Sequence, residues 1–328
     1  MRNALSMQTW RMSKARAVLL TILVSLLQSA CTTSKLADFK TAEDAENTIG
    51  TLDELPLRSG QIIVSEAGSS MSFLMNLIAS EYAEYGHAGV LIREPDGFYV
   101  YEAFGFLNLQ LWKPPTQRLH GKIRRVPLLE FLGRGTAAAI YQHTDVDLDA
   151  VASYARASFD NKLAFDGLFD LRTSDSVYCS EFVARALEAG GHEPLRVTRR
   201  TTNPSLLKTM SWLELDAPSY LLAGHLIDDA NKIARFSKRY TPSQLRAHFS
   251  FEKELHSRFD TSQRLGNVFQ WTSSGPRYRK HLAELRNRLI QEAVSVDEKD
   301  VERWSIEQIA RFIKTHPASK NVSLSQTN

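Results

Sequence analysis

The sequence predicts an α+β fold: an antiparallel sheet that carries a cysteine-bearing helix, followed by a helical C-terminal extension. Three observations point there. In "HAGVLIREPDGFYVYEAFG", two apolar, β-branched and aromatic runs flank "EPDG". That suits a tight turn with Pro95 presetting its first corner. In "SVYCSEFVARALEAGG" the period changes, and Phe182, Val183, Ala186 and Leu187 recur at three- and four-residue spacing on one helix face. Beyond about residue 230, capped helical segments replace strand-like ones. With 43% hydrophobic and 23% charged residues among 328, the chain is not of a disordered type.

Taken in order, the N-terminus stands apart. Arg11, Lys14 and Arg16 precede the apolar run "AVLLTILVSLL" and then "QSAC". A basic flank, a short apolar core and small residues make an export signal. The run is too short for a comfortable membrane span. An uncleaved anchor or a core helix is the alternative reading. The polar stretch before Arg11 makes Met12 a candidate start. Residues 1–30 are assigned to the signal and 31–57, polar and poor in aromatics, to a tether. Residues 58–228 hold the sheet domain.

Within it, "GQIIVSE" (Gly60–Glu66) reads as a strand. "MSFLMNLIASEYAEY" (Met71–Tyr85) reads as a helix with Phe73, Leu74, Leu77 and Ile78 on one face. The hairpin pairs His87–Arg93 with Phe98–Ala103. "GKIRRVPL" is a further strand, and "DLDAVASYARASFD" (Asp147–Asp160) is helical. "NKLAFDGLFDL" is an irregular aromatic connection. The cysteine helix follows, with Gly190 and Gly191 as its stop. A last short strand, "YLLAG" or nearby, is expected to close the sheet. In the extension, 229–317, Thr241 caps a helix with Pro242 at its first position and Gln244 placed for a capping box. Ser305 and Gln308 repeat that arrangement, and "HLAELRNRLI" lies between. Residues 318–328 read as a disordered tail.

Charge is uneven. Residues 31–230 carry 18 Lys+Arg against 27 Asp+Glu, and residues 231–328 carry 18 against 10. A basic tail of this kind can rest on the acidic body or on an anionic envelope surface. Nucleic acid is not expected as a partner of an exported chain.

Cys179 falls where its helix begins. Backbone N–H groups lack partners there and the dipole is positive, which stabilises a thiolate. The bland reading is a small buried core residue. A thiol nucleophile needs a base, and the base needs an orienting group. The hairpin supplies both. Pairing Arg93 with Phe98 sets Glu102 opposite Gly89, and His87 shares the face of Gly89 because side chains alternate. His87 and Glu102 are then diagonal neighbours, roughly 7–8 Å apart at the backbone. Gly89 leaves the space between them open. A bulge at Gly97 would separate them. Glu102→Gln is expected to cost activity while changing stability little. His120, His143, His192 and His225 show no metal-ligand spacing and are read as surface or core residues.

The segments "YGHAGVLI", "YVYEAFG" and "FDGLFDLRTSDSVYCSEFV" resemble the circularly permuted NlpC/P60 thiol hydrolases, in particular the YiiX/YaeF-like group, over roughly residues 58–225. In the papain arrangement the cysteine comes first; here, as in the permuted group, the histidine strand precedes the cysteine helix. The resemblance implies a permuted papain-like core with Cys179 as nucleophile, His87 as base and Glu102 as third member. It implies cleavage of an amide or ester through a Cys179 acyl-enzyme, with no metal or organic cofactor. Tyr178 and Asp166 also fit the family's pattern, and packing explains them equally well. Related acyltransferases use the same residues, so transfer to a lipid or other acceptor is an alternative. A non-catalytic binding lipoprotein that keeps the fold is another.

"QSAC" resembles the lipoprotein signals of bacteria, in which the cysteine, here Cys31, becomes the lipidated first residue. Ser29 and Ala30 fit, while Gln28 stands where that pattern takes Leu. With Cys31 lipidated, Cys179 is the remaining thiol and no internal disulfide forms. Thr32, rather than Asp, follows the cysteine. The expected location is the periplasmic face of the outer membrane, and the expected partner is an envelope substrate: a peptidoglycan peptide, a protein or a lipid ester.

Overall fold

The computed structural model describes residues 40–41, 55–107, 119–212, 215, 217–259, 264–272 and 275–315. The fold is mixed α+β, built on a nine-stranded sheet. Its strands are β1 (Lys40–Thr41), β2 (Ile62–Glu66), β3 (His87–Glu94), β4 (Gly97–Leu107), β5 (Leu119–Pro127), β6 (Ala137–Gln142), β7 (Ala164–Phe165), β8 (Ser176–Val177) and β9 (Asn231–Ser237). Their order is β1-β9-β6-β2-β3-β4-β5-β7-β8, antiparallel except for the parallel β7–β8 pair.

The helices of the sheet region are α1 (Ser70–Asn76), α2 (Leu128–Arg134), α3 (Leu148–Asp160) and α4 (Cys179–Ala189). The near-continuous apolar run of β3 follows from burial on both faces. Val90 and Ile92 pack with Val151 and Ala155 of α3 and Phe182 and Val183 of α4. Leu91 and Val100 pack on the other face with Leu128, Phe131 and Leu132 of α2.

The hairpin register is the one the turn implies. Glu94 pairs with Gly97, Arg93 with Phe98 and Val90 with Tyr101, without a bulge. Gly97 has a positive φ of 146°, which glycine tolerates. Asp147 caps α3 by accepting from the Asp149 and Ala150 N–H groups.

Four expectations need correction. The helix read over Met71–Tyr85 ends at Asn76. The Asn76 side chain donates to the Ala83 carbonyl (2.5 Å) and accepts from the Ala83 N–H (3.1 Å), which folds the chain back. Ala79 then bridges to Arg200. Leu77 and Ile78 stay buried, so the apolar periodicity reported burial rather than helix. "YLLAG" does not close the sheet. Ser219–Tyr220 pairs with Thr198–Arg199 in a separate two-stranded ribbon. The sheet is extended by β9, past residue 228, where helices were expected. A register shift between Lys232 and Ala234 breaks its alternation, which hid the strand. Finally, Ser305 is no cap: it is buried inside α8 (Val301–Thr315). That helix is entered through a 3₁₀ turn capped by Asp297.

The extension also contains α5's neighbours in space: α5 (Pro204–Trp212) packs Leu206 and Met210 into the same cluster as Phe251, Leu255 and Phe259 of α6 (Pro242–Phe259) and Leu285 of α7 (Lys280–Glu292). A hairpin, Phe269–Thr272 with Gly275–Tyr278, interrupts the helices. The Thr241 capping box forms as read: the Thr241 N–H donates to Gln244 Oε1 (3.0 Å) and the Gln244 N–H to Thr241 Oγ1 (3.4 Å). Leu245 and Phe249 of α6 join the sheet's own core. Phe73 and Leu74 of α1 join the helical cluster. Apolar packing thus joins the extension to the sheet. Arg246 and Lys253 of α6 pair with Glu298 (2.9 Å) and Glu302 (3.0 Å) within the extension itself.

Lys40–Thr41, within the expected tether, pairs with Phe236–Ser237 of β9. The expected signal, Cys31 and the tail 318–328 lie outside the described residues. Among the described residues, no helix is long and apolar enough to cross a membrane.

Candidate active site

Cys179 is the first residue of α4. Tyr178 before it is extended (φ −95°, ψ 175°) and its N–H donates to Glu181 Oε2 (3.4 Å). The first helical bond runs from the Phe182 N–H to the Tyr178 carbonyl (2.8 Å). The N–H groups of Cys179 and Ser180 therefore precede the helical ladder. Phe182, Val183, Ala186 and Leu187 are buried and fix the helix against β3 and β4. Burial of each large apolar side chain contributes roughly 1.5–3 kcal/mol, which holds the helix start in place.

His87 opens β3 and is partly exposed; Glu102, on β4, is fully buried. Their side chains meet as the hairpin register predicts, with His87 Nε2 2.5 Å from Glu102 Oε2. The imidazole stacks on Phe131 (6.0 Å between ring centres) and meets Phe104 edge-on. Glu102 holds Nε2, which leaves Nδ1 for Cys179. Burial lowers the His87 pKa, but the Cys179 charge and hydrogen bond, and then those of Glu102, push it up to about 10. Burial raises the Cys179 thiol, and the charge and hydrogen bond of His87 bring it below its ordinary value. Each group thus favours the charged form of the other, thiolate beside imidazolium.

Glu102 does more than orient a ring. Its Oε1 accepts from Arg124 Nε (2.7 Å) and from Arg134 Nη1 (2.6 Å). Burial raises its carboxyl, and His87 with the two guanidinium groups overrides that and holds it near 2. Arg124 lies over the Phe104 ring, 3.2 Å from its centre, and Arg134 also holds Glu130 (2.7 Å). Sequence reasoning missed both arginines. Arg124 was within reach, because it is the direct cross-strand partner of Glu102. Arg134 comes from α2 and left no local signal. Gly89 does more than leave space beside Glu102, 3.4 Å from whose Cβ an added Cβ would lie. A Cβ there would lie 2.6 Å from Val100 Cγ1 and 2.8 Å from the Tyr101 carbonyl oxygen, so the glycine permits close approach of β4.

Tyr178 and Asp166 shape the surroundings. The Tyr178 hydroxyl accepts from the Leu221 N–H (2.8 Å). Asp166 accepts from the N–H groups of Leu168 (2.8 Å) and Asp170 (2.6 Å). That turn holds Phe169 at a positive φ with its ring 5.3 Å from Tyr178. Phe169 and Leu221 are walls of a mostly apolar cavity of about 290 Å³ beside Cys179; Met71, Met75, Ile78 and Leu222 also line it, as do the polar Ser72 and Asn76.

His143 is buried with Nε2 2.8 Å from the Leu226 carbonyl oxygen, and His192 lies with Nδ1 2.6 Å from the Glu193 carbonyl oxygen. His225 is buried beside Glu81. The side chain of His120 lies outside the described residues. A different group gathers potential metal ligands: Glu66, His248 and Glu252. His248 and Glu252 are four apart on α6, but nothing local in the sequence brings Glu66 to them.

No family model and no curated protein matches the chain. Among solved structures it is similar to one described as metalloprotein yiiX from Escherichia coli O157:H7, at 18% identity and a TM-score of 0.42, covering 54% of this chain and 96% of that chain.

Proposed function

We propose that the protein is a cysteine hydrolase of the bacterial cell envelope with a permuted papain-like (NlpC/P60) core. The observation that carries this reading is the placement of His87 between Cys179 and the buried Glu102 carboxylate. The Cys179 thiolate attacks an amide or ester carbonyl, forming a C–S bond and a tetrahedral oxyanion. The Cys179 backbone N–H faces that oxyanion as a donor at the helix start. The imidazolium of His87 gives its proton to the leaving amine or alcohol as the C–N or C–O bond breaks. Neutral His87 then takes a proton from water, whose oxygen attacks the acyl-enzyme. The product acid leaves and the thiolate–imidazolium pair returns.

The apolar cavity favours a second reading of the same chemistry, in which the acyl group is a hydrocarbon chain and an alcohol or amine acceptor replaces water. p-Nitrophenyl esters of increasing chain length test both. Each methylene buried is worth about 0.8 kcal/mol, or about fourfold in kcat/KM, until the cavity is full. Cys179→Ala should abolish turnover. Equal rates from acetyl to decanoyl would remove the cavity from acyl recognition, and turnover by Cys179→Ala would sink the reading altogether. A thiol-reactive acyl probe offered to envelope extracts then separates peptide, protein and lipid-ester substrates.

The lipid anchor is part of the proposal. Cells fed labelled palmitate should label the wild type and not Cys31→Ser. An unlabelled wild type that keeps its apolar segment would mean a simple anchor instead.

A further inference from the structure

Apart from Cys179, three buried side chains converge between the sheet and the extension. Glu66 ends β2, and His248 and Glu252 lie one turn apart on α6. One donor atom from each lies within 4.8 Å of the other two. Exposure is 1%, 0% and 1% respectively. Glu66 accepts from the Gly68 N–H (2.6 Å) and the Ser72 hydroxyl (3.0 Å). Glu252 Oε1 accepts from the Tyr278 hydroxyl (3.0 Å) and lies 3.9 Å from His248 Nδ1. His248 Nε2 is buried with no hydrogen-bond partner among the described residues.

A buried imidazole nitrogen without a partner is destabilising, and two buried carboxyls are more so unless they are neutralised. Arg286 is the cation facing this space. It donates to the Gly68 carbonyl (3.4 Å) and to His248 Nδ1 (3.3 Å). His248 accepts that bond at Nδ1, the nitrogen nearest Glu252, so its lone pair becomes available to an ion when Arg286 withdraws.

We propose that Glu66, His248 and Glu252 form a binding site for one divalent transition-metal ion. Two carboxylates and an imidazole make a mixed O/N donor set, which suits Zn²⁺ or Mn²⁺ and not the all-oxygen coordination of Ca²⁺ or Mg²⁺. Two ligands at about 2.1 Å from a shared ion are at most about 4.2 Å apart, so the side chains draw in by several tenths of an ångström on binding. Arg286 competes for the same space and swings away. The ion would tie α6 to the end of β2, where Ser65 pairs with His87.

The test uses the full chain in detergent, carrying Cys31→Ser and Cys179→Ala so that no thiol binds metal. After chelator treatment, Zn²⁺, Mn²⁺ and Co²⁺ are titrated calorimetrically and the melting temperature is followed. We expect one ion per chain and a melting temperature several degrees higher. Glu252→Gln keeps the Tyr278 bond and should fold well without metal, yet lose at least a hundredfold in affinity. Tyr278→Phe, which removes only a supporting hydrogen bond, should weaken binding about tenfold. Arg286→Gln should tighten it. Absence of saturable binding in the thiol-free parent, or equal affinity in parent, Glu252→Gln and Tyr278→Phe, overturns the proposal. Should Glu252→Gln fail to fold, the Tyr278→Phe and Arg286→Gln shifts decide it.

Discussion

Glu102→Gln is expected to lower kcat/KM with an activated ester by about three orders of magnitude and to destabilise the fold by about 3 kcal/mol. The activity loss follows from the imidazolium. Gln still accepts a hydrogen bond from His87 Nε2, but it no longer supplies the charge that helps keep the ring protonated beside the thiolate. The stability loss corrects the expectation from sequence. Glu102 is fully buried and binds two guanidinium groups, so its removal leaves Arg124 without its carboxylate partner and Arg134 with Glu130 alone. Both arginines are about a quarter to a third exposed, which softens the cost without cancelling it.

The acid side gives an independent measure. The Glu102 carboxyl is depressed from 4.5 to about 2, so its contribution to stability is present above pH 4.5 and is lost as pH falls toward 2. Chemical denaturation of wild type and Glu102→Gln should differ most at neutral pH and converge near pH 2. The double variant Glu102→Gln/Arg134→Met removes one of the two guanidinium charges crowded at that position. It should recover part of the stability and none of the activity. Full activity in a folded Glu102→Gln would show that the carboxylate serves the arginines alone.

What was legible in the sequence was what local chemistry specifies. The "EPDG" turn fixed the register, and the register placed His87 beside Glu102. The apolar face of α4 and the two glycines after it set the helix start at Cys179. Thr241, Pro242 and Gln244 defined the start of α6. What stayed hidden depends on distant partners. Arg134 reaches Glu102 only because α2 covers the outer face of the sheet. The helix over Met71–Tyr85 fails because a single side chain, Asn76, satisfies the backbone of Ala83 in place of the helical ladder. β9 was missed because its bulge destroys the two-residue period that identifies a strand. Glu66 lies 182 residues before His248, and no short-range pattern links them.

Replacing His87 by Ala should slow alkylation of Cys179 by iodoacetamide at pH 7 by about tenfold or more. A thiol at its ordinary value of 9.0 is about 1% ionised at pH 7. In this protein burial would lift Cys179 above that value, and His87 is the largest influence in the opposite direction. The positive end of α4 survives the substitution and offsets only part of the loss, since an exposed helix terminus is worth about 0.3–1 kcal/mol. The parent should label faster than the variant at every pH below about 10, where His87 gives up its proton. The variant should rise steadily with pH and approach the parent only above the ordinary thiol range. His87→Asn, which preserves more of the packing against Phe131, should behave like His87→Ala. Near-identical pH profiles for the parent and two folded variants would mean that the helix start alone activates Cys179, and His87 would leave the mechanism.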